Sequence, residues 1–555
     1  MSRVTFLPER IEIDVPPGTT ILAAARLAGV LIEAPCNGAG HCGKCAVLVA
    51  PEDLAHITLP PGSHLPPERE SAGWFLACHA QLQGDVTVQV PLRSESGLRI
   101  ITSGEKRRSV ALSPWISKRF APELHQTFVS AGERLLTVEQ GNSAADLCGI
   151  VVDIGTTTLV VALVDLVSGK ELASASALNP QSLHAQDVLS RIRFCAEPGG
   201  LAQLQGELMA ELNRLIGEIT AYAGVSRSWL YEAVFSGNTC MLHLAAGVDP
   251  APLGKYPFIP TLTGGNHLEA AEIGLAISPK GVVYLPPVIS AYVGADITAG
   301  ILAAELEELS GITLFIDIGT NGEMILAHDG LLAATSTAAG PAFEGMNISH
   351  GMRASVGAIE GVRITGAGEV ELEVIGKVEA TGICGSGLMD LVAELVRNGI
   401  VGPTGKFTPA ERLPEPLAGR ISKENGSTQF RVTDNVFLTQ KDLRQVQLAK
   451  GAIRAGIDIL LDERGVTAFE VDRVFIAGSF GFHLREESLL ILGLLPPESA
   501  GKVTFLGNSS QAGGELLLLS DRLRVELEAL TPHVARVELT GRADFDRVFM
   551  KAMGF

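Results

Sequence analysis

The eight cysteines of this 555-residue chain are unevenly spread. Cys36, Cys42, Cys45 and Cys78 crowd one end, while Cys148, Cys195, Cys240 and Cys384 are scattered through apolar stretches. Three of the first four share one short loop, Cys36-x5-Cys42-x2-Cys45, with Gly38, Gly40 and Gly43 between them. Thiolates converging on two irons need such an arrangement: three ligands from one tightly wrapped loop and a fourth from elsewhere. Glycines keep side chains away and let backbone N–H groups point at the sulfurs. A structural zinc site usually carries two C-x2-C pairs, and only one is present. The spacing therefore favours a [2Fe–2S] cluster on Cys36, Cys42, Cys45 and Cys78. His41 and His79 adjoin these ligands and read as solvated neighbours, because four thiolates complete the set. The scattered cysteines read as small core residues.

A second chemistry lies in two related segments. Gly149–Thr158 reads GIVVDIGTTT and Thr313–Gly322 reads TLFIDIGTNG, each an apolar strand ending in Asp-Ile-Gly-Thr. Gly155 lets the backbone approach a phosphate, Thr156, Thr157 and Thr158 offer hydroxyl and N–H donors, and Asp153 can hold Mg²⁺ through water. Gly319, Thr320, Asn321 and Gly322 repeat the arrangement beside Asp317. Alone, either motif is weak; the pair marks an internal repeat. A third strand runs into a glycine turn at Val474–Gly481, where Gly478, Ser479 and Gly481 suit an adenosine edge. Glu323 is a weaker candidate, since a charged residue at a strand edge is more often merely solvated. No Walker A sequence or dinucleotide G-x-G-x-x-G competes with these loops.

The elements that must position these residues follow from periodicity. Val4–Leu7 and Ile11–Val15 form an expected hairpin, and Thr19 or Thr20 caps a short helix, Ile21–Ala28. Ala46–Ala50 and Asp85–Val90 supply further strands, and the proline-rich run Leu59–Glu70 is a surface loop. Residues 1–92 thus form one domain. Residues 93–147 read as a linker whose first half is basic, with Arg93, Arg99, Lys106, Arg107, Arg108, Lys118 and Arg119, either solvated or docking an acidic partner. From residue 148 the pattern is α/β, with lobes expected at roughly 148–310 and 311–555. Val401–Asn435 reads as an insertion loop or small subdomain.

Composition is that of a folded soluble protein, 46% hydrophobic and 19% charged. A net charge of −19 argues against a nucleic-acid or anionic-membrane surface. The longest apolar runs, Gly149–Val167 and Val288–Ala304, are interrupted by Asp153, Asp165 and Asp296 and fall short of a membrane span. Met1 to Val15 reads as alternating strand rather than a secretory leader, so a cytoplasmic setting is expected and a disulfide framework is the weaker reading.

The cysteine spacing resembles the vertebrate-type [2Fe–2S] ferredoxins, which implies a β-grasp fold. The three loops, in order, resemble the acetate and sugar kinase/Hsp70/actin (ASKHA) superfamily. That likeness implies two five-stranded sheets flanked by helices, with ATP and Mg²⁺ in the cleft and Asp153 and Asp317 as its catalytic carboxylates. The fusion of the two resembles the reductive activators of corrinoid proteins. Further segments carry this likeness: Phe235–Met241, Ser290–Asp296, Ala339–Gly345, Gly382–Gly387 and Gly507–Ser510. It implies ATP-dependent return of one electron to Co(II) of a corrinoid protein or corrinoid-dependent methyltransferase, an upstream reductant, and a homodimer as one option. Plant-type clusters lie near roughly −400 mV, and Co(II)/Co(I) is usually lower still. The transfer is then uphill, at about 1.4 kcal/mol for each 59 mV. The family usually places a separate middle domain before the ATPase; with only 93–147 available, it is expected to be reduced or absent. Alternatives are an activator of another low-potential enzyme, such as a dehydratase, and a small-molecule kinase with a redox-sensing ferredoxin domain.

Overall fold

The computed structural model describes residues 1–8, 10–30, 32, 34, 45–60, 65, 67–90, 110–424, 426–478 and 484–555. The chain divides into two compact units. One comprises Met1–Arg99, Gln181–Asp187 and Pro341–Val446; the other comprises Ile100–Pro180, Val188–Gly340 and Gln447–Phe555.

In the first unit, the alternation of Ser2–Leu7 buries Val4 and Phe6. This strand pairs antiparallel with Ile11–Val15 and parallel with Val86–Gln89. Ala46–Val49 and Trp74–Leu76 complete a five-stranded mixed sheet. Thr20 caps helix Ile21–Leu27, its hydroxyl oxygen accepting from Ala23 N at 3.2 Å. The helix buries Ile21, Leu22, Ala24 and Ala25 among the apolar residues of the strands, which is the expected β-grasp arrangement. Within the expected loop Leu59–Glu70, Pro67 begins a short helix that runs to Ser71. The same unit holds helix Gly385–Arg397 beside strand Ala358–Ile364. Val401–Asn435, expected as an insertion loop or small subdomain, contains part of a small antiparallel sheet: Ile421–Glu424 pairs with Ser427–Arg431, and Phe437–Thr439 extends it.

Two six-stranded sheets build the second unit. In the first, Lys170–Leu178, Thr158–Asp165 and Cys148–Ile154 form an antiparallel meander, and Leu230–Gly237 continues parallel from Cys148–Ile154. In the second, Leu331–Thr337, Gly322–His328 and Ile312–Ile318 form the same meander, and Arg473–Ala477 continues it in parallel. The two Asp-Ile-Gly-Thr segments therefore occupy equivalent strands. Five strands were expected in each sheet. The sixth are Asn266–Glu269 and Ala535–Arg536, edge strands too short to leave a periodic signal.

Cys148–Ile154 is apolar on both faces, as a strand buried on both sides must be. Ile150, Val152 and Ile154 face the cluster that contains helix Gly200–Ala223. Val151 faces Leu516, Leu517 and Leu518 of helix Ser509–Leu519. Helix Ala295–Ala304 packs Ile297 and Ile301 on Phe315, Ile325 and Phe475 of the second sheet. These two helices cross in direct contact. A Cβ at Gly513 would lie 1.9 Å from Ala299 O, so no side chain fits between the backbones.

The connector also departs from expectation. Ile116–Ala121, Gln126–Ala131 and Arg134–Gln140 form an antiparallel sheet. Its Ile116, Val129 and Ala131 join the core that holds Val151 and Leu517. Lys118, read as a solvated linker residue, has a buried side chain paired with Glu139 at 2.8 Å. Short strands with charges between their apolar positions made this stretch read as basic linker. No helix among the described residues is long and apolar enough to cross a membrane.

Candidate functional site

Asp153 and Asp317 stand near the ends of equivalent strands, each just before a tight hairpin. In the first hairpin, Gly155 N donates to Thr158 O at 2.9 Å, and a Cβ on Gly155 would come within 2.6 Å of that oxygen. Asn179 Nδ2 donates to Gly155 O at 2.8 Å, and Asn238 Nδ2 donates to Thr156 Oγ1 at 3.0 Å. The buried Arg191 guanidinium donates to Thr156 O. Asn238 also caps helix Thr239–Ala246, so its orientation is fixed from two sides. Asn179 N donates to Thr157 O at 2.9 Å. Thus Gly155–Thr158 is held as a preformed loop.

The second hairpin repeats this arrangement. Gly319 N donates to Asn321 O at 2.9 Å, and Gly340 N donates to Thr320 O at 2.9 Å. Gly322 packs tightly beneath Ile453. Asp317 and Glu323 are direct cross-strand partners. Glu323 is buried, with Ser336 Oγ at 3.5 Å from its carboxyl, so the expectation of a merely solvated residue is corrected. Gly478 follows strand Arg473–Ala477 with φ at +101°, where a Cβ would lie 2.6 Å from Ile318 O and 2.9 Å from Asp317 Oδ1. Only glycine allows the third loop to approach the second so closely. Ser479 and Gly481 lie outside the described residues.

Four carboxyls share one electrostatic environment. Burial and the Asp153 charge push Asp317 up to about 7. Burial, with the charges of Asp317 and Asp153, pushes Asp296 up to about 8. Glu323 is raised well above the ordinary range by burial and by Asp296 and Asp317. Asp153 is also raised by burial, against the pull of two donors: Asn508 Nδ2 at 2.8 Å and Ser510 Oγ at 2.8 Å. Mutual repulsion of this kind is what a divalent cation relieves. Together with the open glycine loops, the donor set fits a cation and a phosphate chain.

Sequence reasoning selected Asp153 and Asp317 but missed Asn179, Asn238, Asp296, Asn508 and Ser510. Asp296 had registered only as a break in an apolar run and within a family segment. Asn508 and Ser510 had registered only within the family segment Gly507–Ser510, and Asn238 within Phe235–Met241, a signal that names no partner.

In the first unit, Cys45 and Cys78 Sγ atoms are 3.3 Å apart. Two thiolates bound tetrahedrally at about 2.3 Å from one metal would be roughly 3.8 Å apart, so the pair fits a shared metal or cluster. The Cys78 thiol draws Cys45 down to about 7, against the effect of burial. Cys36 and Cys42 lie outside the described residues, as does His41. Among the scattered cysteines, Cys148, Cys240 and Cys384 are buried and Cys195 is partly so.

Three stretches of the chain match known protein families. Residues 4–83 match the 2Fe-2S iron-sulfur cluster binding domain. Residues 148–309 match the RACo middle region, so the middle domain expected to be reduced or absent is matched there, and 311–555 match the C-terminal domain of RACo, the ASKHA domain. The chain is 30% identical to the corrinoid activation enzyme RamQ of Eubacterium limosum, over 99% of this chain and 98% of that one. It is also 30% identical to the [Co(II) methylated amine-specific corrinoid protein] reductase of Methanosarcina barkeri, over 43% of this chain and 45% of the other. A solved reductive activator for corrinoid, iron-sulfur protein superposes with a TM-score of 0.73 at 31% identity, covering 100% of this chain and 98% of that one. By this end-to-end likeness, the chain belongs to the family of corrinoid activation enzymes.

Proposed function

We propose that this chain restores the Co(I) state of a corrinoid methyl-carrier protein, using ATP to make delivery of one electron to Co(II) feasible. The observation that carries this reading is the meeting of both hairpins, through Asp153 and Asp317, in one cluster of carboxyls. A [2Fe–2S] cluster, held by Cys36, Cys42, Cys45 and Cys78, supplies the one-electron couple when bound. An upstream reductant resupplies the electron.

The ATPase part spans 148–555 in this reading, with lobes at roughly 148–310 and 311–555. Gly155, Thr156, Thr157 and Thr158, with Gly319, Thr320, Asn321 and Gly322, would hold the phosphates. Asp153 and Asp317 would hold Mg²⁺, and Gly478, Ser479 and Gly481 the adenosine edge. Bound Mg²⁺ would favour the ionised form of Asp317, whose carboxylate would then help position the attacking water. Asp296 and Glu323 are the further buried carboxyls of the same cluster. No covalent phosphoenzyme is needed, because phosphoryl transfer to water is promoted mainly by positioning and charge stabilisation. ATP acts on the electron transfer only through its different affinity for two states of the partner complex.

The test is anaerobic. Reduced protein is mixed with a Co(II) corrinoid protein, and cob(I)alamin absorbance is followed with and without Mg·ATP. Co(I) should appear only with ATP and should be lost in Cys42→Ser and Asp317→Asn. Intact cluster absorbance and ATP turnover, with no Co(I) from several corrinoid proteins, would redirect the reading to another acceptor or to a sensing kinase.

A further inference from the structure

Asp153 is gripped from the far end of the chain. Both of its donors come from the segment that starts helix Ser509–Leu519. Asn508 is locked by double use: its Oδ1 accepts from Gln511 N at 2.9 Å while its Nδ2 donates to Asp153. Ser510 has two neighbours at 2.8 Å, Asp153 Oδ1 and Ser236 Oγ. Ser236 Oγ in turn lies 3.2 Å from Ala295 O, the carbonyl immediately before Asp296. All three oxygens beyond Asp153 are buried.

Each serine has one proton to give. While Asp153 is a free carboxylate it can only accept, so Ser510 donates to it and accepts from Ser236. The Ser236 proton is then committed, and Ala295 O is not served by it. A cation on Asp153 weakens that demand. The chain can then reverse, with Ser510 donating to Ser236 and Ser236 donating to Ala295 O. Serving both ends at once would leave the 2.8 Å contact between the two hydroxyl oxygens without a proton, lone pair against lone pair, so the buried pair favours one end or the other.

We propose that Ser510 is a positioning residue for Asp153 and that, through Ser236, it reports cation occupancy of Asp153 to the first turn of helix Ala295–Ala304, which carries Asp296. This rests on the nucleotide reading of the carboxyl cluster. It supplies what a coupling claim requires, a two-state element that both ends bias. It also separates the roles of the two serines: Ser510 sets the metal side, and Ser236 only the link.

The experiment uses the full-length holoprotein with Mn²⁺·ADP as probe. Mn²⁺ affinity is read by electron paramagnetic resonance, ADP affinity in EDTA by calorimetry, and amide exchange by mass spectrometry over Ala295–Leu302. Ser510→Ala should weaken Mn²⁺ binding about tenfold, the lower range for loss of a group that orients a metal ligand, with metal-free ADP affinity unchanged. Ser236→Ala should keep Mn²⁺ affinity within about threefold yet lose the Mn²⁺-dependent change in exchange, because Ala295 O then keeps only its donors within the helix, Thr298 Oγ1 at 3.2 Å among them, and no hydroxyl links it to Ser510. Equal effects of the two variants on melting temperature alone, with wild-type Mn²⁺ affinity in both, would overturn the proposal. So would wild-type exchange over Ala295–Leu302 that ignores Mn²⁺. If wild-type protein binds no Mn²⁺·ADP at all, the nucleotide reading fails and the relay fails with it. Binding of Mn²⁺·ADP with indifferent variants removes the relay alone.

Discussion

Cys45 and Cys78 are 33 residues apart in sequence, yet their sulfurs lie within 3.3 Å. Strand Ala46–Val49 begins immediately after Cys45 and pairs with Trp74–Leu76, two residues short of Cys78, so the sheet itself brings the thiols together. Replacing either cysteine by serine should abolish the visible absorbance of the reconstituted protein, whereas Cys384→Ser should leave it unchanged. Persistence of the spectrum in Cys78→Ser would remove Cys78 from the ligand set. At this scale the sequence was most legible where spacing is local. Cys36, Cys42 and Cys45 define one loop, and Asp153 and Asp317 announce themselves by repetition. Ser510 and Asn508 did not, because their acceptor lies more than 350 positions away and nothing local encodes that pairing.

The helix crossing carries its own expectation. Gly206 lies on an exposed turn of helix Gly200–Ala223, and a methyl group there would meet nothing within 4 Å. Gly206→Ala should therefore raise stability by about 1 kcal/mol through helix propensity. Gly513→Ala gains the same propensity but drives a Cβ into Ala299 O. Overpacking of this kind costs about 1–3 kcal/mol or more, so the net change should be a loss. Denaturant melts of the two variants distinguish these signs; a stabilised Gly513→Ala would show that the crossing can open. Elements with long apolar runs were readable, since Cys148–Ile154 and Ile312–Ile318 need only burial on both faces. The two edge strands and the small sheet at Ile116–Gln140 were not, because a few alternating residues interrupted by Lys118 and Arg119 carry too little pattern against charge.

Over the whole molecule, the shared carboxyl environment sets a pH response. In metal-free protein Asp317 and Asp296 hold protons up to about 7 and 8, far above the ordinary value of 3.8 that applies to the unfolded chain. Between these limits the folded state binds more protons than the unfolded one, so stability falls as pH rises. In EDTA the melting temperature should decline from about pH 4 to pH 8, and Asp317→Asn should flatten that slope. The difference between the two proteins cancels the repulsion expected from a net charge of −19. Mg·ADP should restore the melting temperature most at the upper end. A wild-type slope no steeper than that of Asp317→Asn would contradict the burial of these groups. The order of synthesis has a further consequence. The hairpin that carries Asp153 is made early, but the leucines that cover Val151 and the two donors that grip the carboxylate arrive more than 350 residues later. Until then Ile116, Val129 and Ala131 cover that face of the first sheet only in part, and its apolar strands stay open to non-native pairing. A ribosome-bound chain shorter than about 520 residues should therefore be a chaperone client, and assembly of the acidic cluster is among the last events in the life of the nascent protein.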